Sequence, residues 1–192
     1  MLLKEQQAQH PAQKLEVWFG DEARFGQQGT VARVWHDRGQ TPVRKRQRDY
    51  QWLYLMGAVC PERGDSLGWI MPCSDTWAFN FWLKEFGQHL PAQTHALLII
   101  DNAGWHHAKA LRVPDNVTLA FLPAYSPELN PVELIWRYMR QQYMSNRVFP
   151  EMVDLDKALG DAWIHLSNQP DRIRSISQFP WLLPTTQQEI IN

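Results

Sequence analysis

The sequence predicts an α/β domain, a mixed sheet flanked by helices, and three observations carry that prediction. Leu15, Val17, Phe19 and Asp21 alternate with Glu16, Trp18 and Gly20, the period-two pattern of a strand with two different faces. Ala96 to Ile100 is a continuous apolar run with polar flanks, as expected of a strand covered by helices on both sides. Phe79, Leu83, Phe86 and Leu90, and later Leu155, Leu159, Ala162 and Leu166, recur at helical spacing. With 192 residues, 44% of them hydrophobic and 12% aromatic, the chain is long enough for one domain with a substantial core and short for two.

Taken in order, residues 1–14 hold four glutamines, His10 and Pro11 without apolar periodicity, and are expected to form a flexible lead-in or the remnant of a linker. The domain is expected over residues 15–170. Val31 to Trp35 and Tyr50 to Val59 are aromatic and β-branched enough to be strands, joined across Gly39, Pro42 and the basic cluster Arg44, Lys45, Arg46 and Arg48. Leu67 to Met71 adds a strand to this antiparallel meander. Ser74-Asp75-Thr76 supplies capping side chains for a helix ending near Pro91. After the apolar run, a short helix from Trp105 to Arg112 and a strand from Val117 to Leu122 lead into the turn-rich Pro123-Ala124-Tyr125-Ser126-Pro127. A helix opens after Asn130 with Pro131 in its first turn, buries Val132, Ile135, Trp136, Met139 and Tyr143, and carries Glu133 beside that stripe. A last helix spans Glu151 to Leu166, and residues 171–192 form a tail with Phe179, Trp181 and Leu182, a candidate interface. Trp18, Trp52, Trp77, Trp82 and Trp136 follow core periodicities.

The formal net charge of -1 excludes a generally basic nucleic-acid-binding chain, so any electrostatic footprint has to be local. Cys60 and Cys73 form no CxxC or other metal-ligand spacing, which argues for a reducing compartment without a disulfide framework. No apolar run approaches the roughly 20 residues of a spanning helix, and the polar start lacks the apolar stretch of a secretion signal. The expected location is cytoplasmic, with no membrane partner.

Three acids stand out as candidates for chemistry: Asp21 after Leu15–Gly20, Asp101 after the apolar run, and Glu133 in the first turn of its helix. Carboxylate oxygens are the ligands Mg²⁺ prefers, and it takes only a few of them. Two ions about 3.5 to 4 Å apart can activate an attacking oxygen and stabilise the leaving oxygen of a phosphodiester. Two strand-end aspartates plus a helix glutamate provide such a set if the strands are neighbours in the sheet. From the residues alone an ordinary reading stands beside this one. An acid after a strand also serves as a cap or turn residue, and Glu133 also favours the positive end of its helix and pairs with Arg137.

Three motifs bear on that choice: Trp18-Phe19-Gly20-Asp21-Glu22-Ala23-Arg24-Phe25-Gly26, Ile99-Ile100-Asp101-Asn102-Ala103-Gly104-Trp105-His106, and Leu122-Pro123-Ala124-Tyr125-Ser126-Pro127-Glu128-Leu129-Asn130-Pro131-Val132-Glu133-Leu134-Ile135-Trp136. In this wording and order the chain resembles the Tc/mariner-like superfamily of cut-and-paste transposases, specifically its bacterial insertion-sequence branch, over residues 15 to about 165. The resemblance implies a ribonuclease H-like fold with a mixed five-stranded sheet. It implies that Asp21, Asp101 and Glu133 are the DDE metal ligands, with Mg²⁺ or Mn²⁺ as cofactor, two ions in all. It further implies cleavage of transposon ends by water and strand transfer by the freed 3′-hydroxyl into target DNA at a TA site. The expected partners are DNA and further copies of the chain, since two transposon ends are handled together; the bacterial setting implies association with the nucleoid. Family members carry helix-turn-helix modules ahead of the catalytic domain, for which residues 1–20 have no room. An upstream helix-turn-helix chain or a missing N-terminal half is therefore expected. The spacing of Asp101 and Glu133 is slightly shorter than the family's. The alternatives are a related nuclease without strand transfer and a catalytically silent DNA- or protein-binding fragment acting as a remnant or regulator.

Given the resemblance, Arg44, Lys45, Arg46 and Arg48 are assigned to phosphate contact, against the ordinary reading of a solvated hairpin tip. His106 is a candidate for substrate or metal contact and equally for a structural role, and His107 is a weaker candidate. Asn102 and Asn130 are expected to brace the acid-bearing loops. Glu22, on the opposite strand face from Asp21, and Glu128 are expected to be exposed or to act at one remove.

Overall fold

The computed structural model describes residues 2–28, 31–39, 43, 47 and 49–179. Its elements run α1 (Leu2–Gln9), β1 (Lys14–Gly26), β2 (Trp52–Cys60), β3 (Asp65–Met71), α2 (Thr76–His89), β4 (Thr94–Ile100), a 3-10 turn (Gly104–His107), β5 (Val117–Phe121), a second 3-10 turn (Pro127–Leu129) and α3 (Val132–Met139). α3 runs on into a π-helical turn (Arg140–Met144), followed by α4 (Met152–Ser167) and α5 (Pro170–Ser177). The strands form one mixed five-stranded sheet in the order β3-β2-β1-β4-β5. β1, β2 and β3 make an antiparallel meander, while β4 and β5 join it parallel to β1.

The period-two alternation of β1 divides the core. Phe19, Ala23 and Phe25 enter the layer formed with α3, α4 and α5, and Trp18 enters the other, beneath α2. β4 is buried on both faces at every position but Ile99, as its continuous apolar run requires. The helices start where their caps say. Asp75 Oδ1 accepts from the Ala78 amide at 2.9 Å to open α2, and Glu151 and Asp154 form a reciprocal capping box on α4.

One pair of glycines fixes how the helices seat on the sheet. Gly57 of β2 and Gly68 of β3 are directly paired, which leaves a bare patch on the sheet surface. The indoles of Trp136 and Trp163 lie on this patch, with ring centroids 5.8 Å apart. A Cβ added at Gly57 would stand 2.6 Å from Trp136 Cη2, and one at Gly68 would stand 2.5 Å from Trp163 Cε2. Both separations are far inside van der Waals contact, so any side chain at either position forces an indole to shift.

Several sequence expectations need correction. Residues 31–37 form no strand and are exposed apart from Ala32; the meander is built instead by β1, which continues to Gly26, and β2. The expected helix from Trp105 to Arg112 is a single 3-10 turn. Trp77 and Trp52, expected in the core, are 64% and 41% exposed. Residues 2–9 are helical, and Thr118 Oγ1 donates to Gln6 Oε1 at 3.0 Å, so this lead-in is docked on β5. α5 occupies the start of the expected tail and buries Ile173; Trp181 and Leu182 lie outside the described residues. No helix among the described residues is long and apolar enough to cross a membrane.

The glycine patch generates a prediction. Gly57→Ala should destabilise the fold by about 1–3 kcal/mol through overpacking against Trp136, measured by urea unfolding, whereas Gly104→Ala, where an added Cβ meets nothing within 4 Å, should leave the midpoint within about 0.5 kcal/mol of wild type.

Candidate active site

Strand register brings the first two acids together. β1 and β4 run parallel with Phe19 opposite Ile99, and two residues further on the same register sets Asp21 level with Asp101. Neighbouring strands lie about 4.8 Å apart. β4 ends at Ile100 while β1 runs on, paired only with β2, so Asp21 borders the opening left by its departing neighbour. Asp21 is therefore inside its strand and not at its end, where the sequence pattern places it.

Asn130 brings in the third acid. Its Nδ2 donates to the Gly20 carbonyl at 3.1 Å, and its Oδ1 accepts from the Val132 amide at 3.1 Å. One buried side chain thus caps α3 and ties it to the residue before Asp21, and Glu133 follows in the first turn. Asp21, Asp101 and Glu133 line a single cleft of about 390 Å³, with Asn102, Asn130 and Tyr125 among its walls.

Burial pushes the Asp21 carboxyl up to about 7, and the nearby Glu133 and Asp101 carboxylates push in the same direction. The Trp136 indole opposes them by donating Nε1–H to Asp21 Oδ2 at 2.9 Å. Glu22 lies on the other strand face beside Phe79, Trp82 and His106. Burial raises it to about 8, with Asp21 and Asp101 adding to the effect and the Ser74 side chain opposing it. Glu22 is half-buried, not exposed as one expectation has it.

Asp101 is the most open of the three acids, with its side chain 51% exposed. His106 holds it from behind. The imidazole is 2% exposed, rests against Phe79 at 4.5 Å, and its Nδ1 lies 2.9 Å from Asp101 Oδ1 and 3.1 Å from the Asp101 carbonyl. Burial pushes the His106 pKa down, and a neutral ring with its proton on Nδ1 satisfies both oxygens. The Ala103 amide also donates to Asp101 Oδ1, at 3.2 Å. His106 therefore braces Asp101 and does not line the cleft. Asn102 does line it, and Asn102 Oδ1 meets His107 Nε2 at 2.5 Å. Glu128 is exposed in its 3-10 turn. Arg44, Lys45, Arg46 and Arg48 lie outside the described residues.

Two residues of the site are not evident in the sequence. Trp136 fits the core stripe of its helix, although a buried indole N–H needs an acceptor and Asp21 provides it. Tyr125 sits at the cleft with φ 58 and its side chain wholly exposed, a backbone conformation uncommon for a residue with a side chain. Its only signal is its place in a Pro- and Ser-rich loop.

The donor chemistry fits a hard divalent cation. Three carboxylates face one cleft, and their mutual repulsion would be relieved by positive charge among them. The side chains are not drawn together into a cage: among the described residues no three or more His, Cys, Asp and Glu are grouped to hold an ion.

Comparison with known proteins gives the class and then the family. The fold is that of the Mos1 mariner transposase: a pre-cleavage Mos1 transpososome matches with a TM-score of 0.59 at 16% identity, over 93% of this chain and 60% of that one. A Mos1 strand transfer complex gives 0.57, also at 16%, over 93% and 59%, and a Mos1 mariner paired end complex with Mn gives 0.57 at 17%, over 93% and 60%. The chain thus spans about 60% of the length of these Mos1 chains. The DDE superfamily endonuclease model matches residues 16–156, and the chain belongs to this family. The uncharacterized protein y4pE/y4sA of Sinorhizobium fredii (strain NBRC 101917 / NGR234) is 46% identical over 130 residues, 68% of this chain and 96% of the relative. The ribonuclease H-like sheet and the Tc/mariner-like resemblance read from the motifs are both borne out.

The raised Asp21 carboxyl makes a signed prediction for the metal-free protein. Between its ordinary value of 3.8 and about 7 the folded state retains a proton that the unfolded chain releases, so this group subtracts stability as pH rises through that window. Asp21→Asn should therefore match wild type in acid below 3.8 and exceed it above 7, by about 2 kcal/mol once partial exposure is allowed for. Urea unfolding across pH in the presence of EDTA checks this; an equal difference at all pH values would refute it.

Proposed function

We propose that this chain is the catalytic domain of a DNA transposase, which hydrolyses phosphodiester bonds at transposon ends and transfers the freed strand into target DNA at TA sites. The observation that carries the reading is the shared register of Asp21 and Asp101 with Glu133 in the same cleft. Membership of the DDE superfamily endonucleases and a fold shared with Mos1, solved in complexes with transposon ends, support it.

In this reading Asp21, Asp101 and Glu133 hold two Mg²⁺ or Mn²⁺ ions, and Mos1 complexes with Mn and with Mg support that choice. Bound there, the ions supply activation of the attacking oxygen and stabilisation of the leaving oxygen. The protein's own part is positioning. Trp136 orients the Asp21 carboxylate, His106 orients Asp101, and Asn130 sets the start of the helix that bears Glu133. Arg44, Lys45, Arg46 and Arg48 contact DNA phosphates, Asn102 meets substrate at the cleft wall, two or more copies act together on two ends, and a helix-turn-helix module upstream recognises the ends.

The rival reading is a catalytically silent DNA-binding fragment. The assay that separates them is Mg²⁺- or Mn²⁺-dependent nicking and joining of a DNA duplex, run beside calorimetry of metal binding. Wild type should nick and join only with metal, and Asp101→Asn should lose about a thousandfold or more, corresponding to several kcal/mol of lost charge stabilisation. Nicking without joined product would reduce the function to a nuclease. DNA binding with neither metal binding nor cleavage would move the conclusion to the silent fragment.

A further inference from the structure

A second cleft, of about 360 Å³, opens at the far end of the β1–β2 hairpin. It lies away from the acids but is carried by the same elements. Arg24 is three residues beyond Asp21 on β1, roughly 10 Å at 3.3 Å per residue. Arg140 is seven residues beyond Glu133, two helical turns, again roughly 10 Å. Arg24, Arg140, Trp52, Tyr50, Phe25 and Phe149 all line it.

Neither arginine is paired with a carboxylate, which is true of most arginines among the described residues, although the chain as a whole carries slightly more acids than bases. Each is instead held over an aromatic ring, Arg24 at 5.1 Å from the Trp52 centroid and Arg140 at 5.3 Å from that of Phe25. The acid that lines the cleft, Asp49, accepts from Gln47 at 2.9 Å. A ring fixes the orientation of a guanidinium without neutralising it, so its charge and its fork of donors remain available to an anion.

Two further features mark the cleft. Its aromatic walls are partly bare, Tyr50 at 76% exposure and Trp52 at 41%, in a chain whose β1 tryptophan, Trp18, is buried. The wall from Arg140 to Met144 is a π-helical turn, a rare geometry that recurs at functional sites. Gln47, which falls between Arg46 and Arg48 in the sequence, is anchored on the same wall: its Oε1 accepts from the Phe149 amide at 2.8 Å and its Nε2 donates to the Phe149 carbonyl at 2.6 Å.

We propose that this cleft binds a short stretch of a single DNA strand leading away from the acid cleft, with Arg24 and Arg140, which lie on opposite faces of β1, on separate phosphates and Trp52 and Tyr50 stacking a base. Paired guanidinium and aromatic groups are the chemistry by which single strands are held without sequence preference. At about 3.4 Å of rise per nucleotide, roughly 10 Å is about three nucleotides from the scissile position. The assignment rests on the proposed function, since it supplies that function with a grip on the strand flanking the cut.

The test uses the whole chain and a fluorescein-labelled, mixed-sequence single-stranded oligonucleotide, with affinity read by anisotropy over a salt series. Arg24→Gln/Arg140→Gln should weaken binding about tenfold or more and flatten the salt dependence by about 0.7 for each phosphate that is no longer neutralised. Trp52→Ala, at an exposed position, should weaken binding about tenfold by removing the stacking platform while leaving the salt slope unchanged. Thermal melting of each variant within a few degrees of wild type ties the weaker binding to the cleft. If wild type binds the oligonucleotide and all three substitutions leave affinity and slope unchanged, the cleft assignment is overturned and the proposed function stands. If wild type binds no DNA, single-stranded or duplex, both fall.

Discussion

The contact on which the site depends is the indole of Trp136 packed against Gly57. Gly57 is the β2 residue opposite Asp21 in the antiparallel register. With no side chain there, the ring reaches across the sheet and its N–H meets Asp21 Oδ2 at 2.9 Å. The same ring is almost fully buried, packs at 6.5 Å against Phe25, and belongs to the helix that carries Glu133. A single side chain therefore fixes three things: the orientation of one acid, the depth at which α3 sits, and through α3 the place of another acid. Truncating such a ring ordinarily costs about 3–5 kcal/mol in packing alone. The polar bond adds direction to that energy, because a buried indole N–H without its acceptor is unfavourable as well.

Against this core stands a local electrostatic cost. Four carboxyls, Asp21, Glu22, Asp101 and Glu133, influence one another around the end of β4. Burial is the largest cause of the upward shifts at Asp21 and Glu22, so the cost comes first from desolvation and only then from repulsion. Both cores contribute to that desolvation, one through Trp136 and the other through Phe79 and Trp82 on the Glu22 side. The acids are thus held in an unfavourable state by favourable packing, which is how proteins generally carry sites whose demands differ from those of stability.

Periodicity makes most of the fold legible, and the exceptions have identifiable causes. The sequence pattern ends β1 at Asp21 because a carboxylate on the apolar face reads as a terminus; the alternation resumes at Ala23 and Phe25. Val31 to Trp35 has the composition of a strand, but strand propensity is realised only against a partner, and these residues have no strand partner among the described residues. Trp52 and Trp77 satisfy a core period while standing exposed, because aromatic content does not tell a core from a surface platform. Of the site, the three acids are legible in their motifs, and the bracing role of Asn130 follows from its position before α3. What no spacing gives is adjacency. That Asp21 is level with Asp101 follows from a parallel register between strands separated by the whole meander and α2, a long-range fact absent from any local pattern.

The groups that orient the acids are neutral. Asp21 is held by an indole N–H, and Asp101 by a backbone amide and by an imidazole whose burial keeps it uncharged. Among the described residues no lysine or arginine is paired with Asp21, Asp101 or Glu133. Arg24 is close in sequence, but strand alternation turns it to the face opposite Asp21 and stacks it on Trp52. A guanidinium among the acids would form bidentate pairs with them, lower their pKa values, and leave no unneutralised charge for anything else. Neutral donors give orientation without cancelling charge. The arrangement therefore leaves the carboxylates unneutralised in their cleft while the arginines stay cationic and stacked at the other end of the hairpin, the charge separation that the proposed function requires.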